Sequence, residues 1–120
     1  MNSTAISILA EEGIEGIDAE IALRRIQSEL VSPSREARQR LAALGLVLED
    51  LDPNLHRFAA VVRRLAEAGL GEDDAFTIFG RRGHAAAMVL VRAVDRLEAL
   101  QHPQGGQGGL PQEPGDGAGG

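Results

Sequence analysis

Apolar side chains recur along this chain at steps of three and four, and strict alternation is almost absent. That period belongs to helices with one buried face, so the pattern predicts an all-α fold, a small bundle of about five to six short helices. A first helix is expected over about Thr4 to Glu12, with Ala5, Ile8 and Leu9 on one face. A second runs from about Asp18 to Val31 and carries Ala19, Ala22, Leu23, Ile26 and Leu30 as one stripe. A third, about Pro33 to Leu44, presents Ala37, Leu41 and Leu44. In the fourth, after Asp52-Pro53, Leu55, Phe58, Ala59, Val62, Leu65 and Ala66 make the cleanest stripe of the chain.

The punctuation agrees with the periods. Gly13, Gly45 and Gly69 stand where helices one, three and four should end. Ser32-Pro33 and Asp52-Pro53 read as an N-cap followed by proline at the first helical position, where the missing N–H costs little. Between helices three and four, "LVLEDL" reads as extended or irregular. Glu72, Asp73 and Asp74 suit the first turn of a fifth helix, whose dipole favours carboxylates there, and Gly80 ends it. A final helix from about Gly83 to Leu100 turns Ala87, Leu90, Val91, Val94 and Leu97 inward and Arg92, Asp95 and Arg96 to water.

The pattern stops at Gln101. The last twenty residues, "QHPQGGQGGLPQEPGDGAGG", hold Leu110 as their only large apolar side chain. One buried leucine cannot offset about 1–2 kcal/mol of backbone entropy per ordered residue. The domain division is therefore 1–100 as a helical core and 101–120 as a disordered Gly/Pro-rich tail. Only Phe58, Phe76 and Phe79 are aromatic, so the core is small and thinly anchored. The longest apolar run, Ala85 to Val91, falls far short of the ~20 residues that cross a bilayer. The N-terminus lacks a basic leader, and the chain reads as soluble with no membrane span.

Charge and residue chemistry narrow the function. A net charge of −6 argues against sequence-independent nucleic-acid binding, although all twelve cationic residues are arginine. Without cysteine there is no disulfide, thiolate metal site or cysteine nucleophile. His56, His84 and His102 lack a partner at metal-ligand spacing, and Ser32 and Ser34 lie outside any nucleophile elbow. "DLDPN", Asp50 to Asn54, matches the opening of a calcium loop, but Leu55 stands where that loop needs glycine and Val61 where it needs glutamate. The pairs Arg24-Arg25, Arg63-Arg64 and Arg81-Arg82 read as solvated faces with nearby carboxylates. The sequence thus assigns no catalytic, cofactor-binding or metal-binding residue, expects no cofactor, and gives no reason to read an enzyme. "GIEGIDAEIALRR", Gly13 to Arg25, lacks the preceding strand and further glycine of a phosphate cradle. It reads as a corner, with Gly13 left-handed at the end of helix one and Gly16 turning the chain into helix two.

Four segments in fixed order carry a family resemblance: "SILAEEGIEGIDAEIALRRI" (Ser7 to Ile26), "SPSREARQRLAALGLVLEDLDP" (Ser32 to Pro53), "FAAVVRRLAEAGLGEDDA" (Phe58 to Ala75) and "FTIFGRRGHAAAMVL" (Phe76 to Leu90). Together they resemble the core of phage tail tape measure proteins. That pattern has a helix ending in G-I-x-G, an A-L-R helix, a Ser/Asn-Pro-Ser turn, a helix ending in L-G, and an I-F-G segment running into alanines. The matching positions are Gly13 to Gly16, Ala22 to Arg24, Ser32 to Ser34, Leu44-Gly45 and Ile78 to Gly80. Where the family often has Gly-Thr before A-L-R, this chain has Glu20-Ile21.

The resemblance implies a virion structural protein of the phage tail, assembled in the bacterial host cytoplasm, that helps set tail length. Its implied partners are further copies of itself and other tail proteins, the tail tube and an assembly chaperone. A single helix of a hundred residues would span only ~150 Å, so this chain is expected to be a truncated prophage gene, one part of a split gene, or a fragment, and not the ruler itself. The alternative is a small helical DNA- or protein-binding regulator that uses helix three or Arg81-Arg82 as its contact surface.

Overall fold

The computed structural model describes residues 3–101. Within them the chain is all α: α1 (Ser3–Glu11), α2 (Gly16–Val31), α3 (Arg35–Ala43), α4 (Phe58–Glu67), α5 (Glu72–Arg92) and α6 (Val94–Gln101), with one 3-10 turn at Leu48–Leu51. The glycine- and proline-rich stretch expected to be disordered lies outside the described residues from His102 onward, and Gln101 belongs to α6.

Helix α5 organises the bundle, since α1, α2, α3, α4 and α6 all pack against it. Apart from Leu55, the stripes read from the sequence are buried in the core or packed against it. Ala5, Ile8 and Leu9 of α1, Ala19, Ala22, Leu23, Ile26 and Leu30 of α2, and Leu41 of α3 join Val61, Val62 and Leu65 of α4 in one core with Ile78, Phe79, Leu90 and Leu97. Gly83 supplies the close crossing between α5 and α2: a Cβ there would lie 3.1 Å from Arg25 Cγ and 3.6 Å from Ile26 Cγ1.

Three helix ends are built alike. "LAEEGI", "LAALGL" and "LAEAGL" close α1, α3 and α4, and the repeated letters carry a repeated set of hydrogen bonds. In each, the N–H of the residue after glycine donates to the leucine carbonyl: Ile14 to Leu9 at 2.9 Å, Leu46 to Leu41 at 3.0 Å, Leu70 to Leu65 at 3.2 Å. The glycine N–H donates three residues back, Gly13 to Ala10, Gly45 to Ala42 and Gly69 to Ala66. This is the Schellman arrangement, which needs a positive φ at the glycine and here has 90°, 80° and 78°. Each leucine is buried and the apolar residue after each glycine packs on the same core, so cap and core are one unit.

Several boundaries differ from expectation. The cap of α3 is Ser34, whose Oγ accepts from Ala37 N–H at 3.1 Å. Ser32 instead ends α2, donating its N–H to Ser28 O, and Pro33 is buried between the two helices. Asp52 does not cap α4. Its Oδ1 accepts from Asn54 N–H at 2.8 Å and shapes a turn, so α4 begins only at Phe58 and Leu55 is left 65% exposed. "LVLEDL" is not extended throughout; its last four residues wind into the 3-10 turn and bury Leu51. The expected final helix is divided at Ala93, which has φ −102° and ψ 19°.

Gly80 does interrupt the helical path, as read from the sequence, although α5 runs on at once. With φ 75° and ψ −174° it lies in a region open essentially to glycine alone. A straight helix of this length would set its ends about 30 Å apart. Instead Arg92 Nη2 lies 3.3 Å from Glu72 Oε2, and the rings of Phe76 and His84 meet edge-on with centroids 5.3 Å apart. The two halves of α5 are therefore folded on one another.

Candidate interaction surface

The ionisable side chains singled out by sequence fall into two groups, those that clamp helices together and those that face solvent without a partner. In the first group Arg63 of α4 holds Glu98 of α6 with two nitrogens and reaches Asp95 as well, with Nε to Glu98 Oε2 at 3.1 Å. Arg96 of α6 forms a fork with Glu11 of α1 at 2.6 and 2.9 Å. Arg40 of α3 meets Asp74 of α5 at 2.7 Å, and Arg64 lies 3.5 Å from Asp50. Arg92, Asp95 and Arg96 do face water, as their spacing predicts, yet Asp95 and Arg96 also pin α6 to α4 and α1, and Arg92 joins the two halves of α5 through Glu72.

These bonds shift protonation in definite directions. Asp74 is held below the usual carboxylate range, first by Gly71 N–H donating to Oδ2 at 2.9 Å and then by Arg40. Glu11 is held low by its hydrogen bonds from Arg96. The acidic triplet at 72–74 is therefore more than a favourable start to α5, because Asp74 closes the turn before it and ties it to α3. Both carboxylates contribute stability that is fully present above their unfolded values near pH 4 and is lost as pH falls through the lower folded ones. Accordingly, Asp74→Asn should be less stable than the parent near neutrality and lose less on acidification from about pH 5 to about pH 2, followed by urea denaturation at each pH. Equal slopes for the two proteins would show that Asp74 carries none of the acid response.

The calcium-like letters are used for turns. Asp50 points to Arg64, Asp52 to the backbone of Asn54, and the His56 ring nitrogen Nε2 lies 3.0 Å from Glu49 O. Among the described residues no group of three histidine or carboxylate side chains is arranged to hold a metal ion. A cleft of about 270 Å³ opens between α1 and the α5–α6 junction, lined by Ile8, Glu12, Val89, Arg92 and Arg96. Its arginines are the ones that pin Glu72 and Glu11, so the cleft borders the clamps.

The second group lies on α2 and on the second half of α5. The arginine pairs divide: Arg25 bonds Glu29 at 3.1 Å, while Arg24, Arg81 and Arg82 are exposed and make no ion pair among the described residues. Arg24, Arg25 and Arg82 share a cleft of about 240 Å³ with Ile21 and Ser28. On α2, Ile17 is 70% and Val31 50% exposed. Periodicity read for the inward stripe alone does not disclose this outward face; its signal is a second set of three- and four-residue steps on one helix. Phe76, counted among the core aromatics, is 54% exposed. Among the described residues no helix is long and apolar enough to cross a membrane. No family model, curated protein or solved structure matches the chain.

Proposed function

We propose that this chain is a structural, non-enzymatic module of a phage or prophage tail tape measure system, contributing to tail assembly and length determination through helix packing. One observation carries the reading. The four segments of the resemblance, read as separate motifs in sequence, converge on one core: Ile8 and Ile26 from the first, Leu41 from the second, Leu65 from the third and Phe79 from the fourth are all buried together. The motif glycines fall at corners of that same unit, Gly13 and Gly45 at helix ends and Gly80 at the fold in α5. A shared order of motifs is what a shared helical framework requires, and the apolar side chains left outside, such as Ile17, Val31 and Phe76, supply surface for packing against other components.

The module would work in the tail as it is assembled in the bacterial cytoplasm, against copies of itself, the tail tube or the assembly chaperone. The test is affinity co-purification of the full chain with the tail-tube and chaperone proteins of the same prophage. Retention of either at stoichiometric level is the expected result; binding to no tail component would defeat the proposal. The cleft shared by Arg24, Arg25 and Arg82 favours the regulator alternative, and a gel-shift series separates the two, since phosphate contacts weaken steeply as salt rises.

A further inference from the structure

We infer that the outward face of α2 is a self-association surface on which a second copy of this chain lies antiparallel. Along the helix Ile17, Ile21, Arg24, Ser28 and Val31 follow one another at alternating steps of four and three. That is the spacing of a coiled-coil seam, and on the helical wheel it points away from the buried stripe of Ala19, Ala22, Leu23, Ile26 and Leu30. Its ends are Ile17 and Val31, each at least half exposed, with Ile21, Arg24 and Ser28 between them.

Charge along the helix decides the occupant and its direction. The N-terminal half carries Asp18 and Glu20, with Glu15 just before it, and the C-terminal half carries Arg24 and Arg25, the latter bonded to Glu29, with Arg82 of α5 beside them. A parallel second copy would set carboxylate on carboxylate and arginine on arginine. An antiparallel copy sets Ile17 against Ser28 and Ile21 against Arg24, and brings Asp18 to Arg25 and Arg82 and Glu20 to Arg24 of the other chain. Asp18, Glu20, Arg24 and Arg82 have no ion pair within the described part of their own chain, so they are available for one across the interface. The face is thus complementary to itself about a two-fold axis. The seam is about 21 Å long, which places the association in the small-interface, transient class.

The inference rests on the reading of the chain as an assembly module, and the two fail separately: a chain that stays monomeric can still bind a tail component, and a dimer can form without one. The experiment is sedimentation equilibrium of the full chain from about 10 to about 500 μM, with helical content checked by circular dichroism. The parent should dimerise with concentration and dissociate as salt rises. Ile17→Lys, at an exposed position, should weaken dimerisation about tenfold or more with helicity unchanged. Glu20→Arg and Arg24→Glu should each weaken it, and the double exchange should restore it. Because the parent has no cysteine, Arg24→Cys should link to its counterpart through a short bismaleimide, whereas Val31→Cys, whose counterpart lies about 25 Å away, should not. A monomer at every concentration, a dimer indifferent to Ile17→Lys or to the charge exchange, or linkage at Val31→Cys would overturn the inference.

Discussion

Replacement of Phe79 by alanine should cost about 3–5 kcal/mol, the largest loss expected from any single truncation in this chain. Phe79 is fully buried, and it sits on the helix against which every other helix packs. With only Phe58 beside it as a second buried aromatic, the core has little large area in reserve. A domain of this size is stable by about 5–15 kcal/mol, so the variant should be partly unfolded or close to it. The control lies three residues away on the same helix. Phe76 removes less area from water because it is 54% exposed, and its ring touches only the edge of His84 among aromatic groups, so Phe76→Ala should cost about 1 kcal/mol or less. Urea denaturation followed by circular dichroism is the measurement, since the chain has neither tryptophan nor tyrosine. Similar midpoints for the two variants would contradict the placement of Phe79 at the centre of the core.

The contrast between the two phenylalanines also marks what a sequence can disclose about this fold. Inward stripes were legible because a helix buries residues at a fixed angular spacing, and α2 and α4 bury what that spacing selects. Helix ends were legible at Gly13, Gly45 and Gly69 because the closing conformation itself selects glycine. The spacing assigns Phe76 to no face: it is apolar beside the buried Ala75, yet its side chain is 54% exposed and meets His84 from the second half of α5. The starts of α3 and α4 also depart from expectation. In "SPS" and "DPN" the capping side chain, the proline and the following polar residue can each take the first position, and local hydrogen bonds choose among them. Ser34 wins at α3 because Ser32 is still finishing α2, and Asp52 is claimed by its own turn.

The interaction surface was less legible than the core. A face becomes visible in sequence when its side chains are uniformly apolar, and the outer seam of α2 mixes isoleucine and valine with Arg24 and Ser28. The arginine pairs likewise look equivalent as letters. Their fates differ because Arg63 stands opposite α6 and Arg64 opposite Asp50, whereas Arg81 and Arg82 point from the second half of α5 into solvent. Placement of Arg81 and Arg82 depends on the fold of α5, and that fold turns on the backbone angles of one residue.

That residue gives the second large effect. Gly80→Ala should destabilise the chain by about 2 kcal/mol, and Gly80→Ser and Gly80→Asn by similar amounts, because the cost lies in the backbone and not in space. A Cβ at Gly80 would meet nothing within 4 Å, so the side chain added hardly matters, but φ 75° with ψ −174° is closed to L-residues. Asparagine, which tolerates the compact left-handed region, should be mild at the helix-end Gly45, about 1 kcal/mol or less, yet offers no relief at Gly80, whose ψ lies far outside that region. Relaxing the substituted position to helical angles would not rescue the variant. It would straighten α5, separate Glu72 from Arg92, part the Phe76–His84 contact and pull the second half of the helix, with Leu90, away from the core it fills. The comparison is made by urea midpoints for the alanine, serine and asparagine variants at Gly80 beside Gly45→Asn. Parent-like stability of Gly80→Ala would mean that α5 tolerates an unbroken course, and the folded arrangement of its two halves would have to be abandoned.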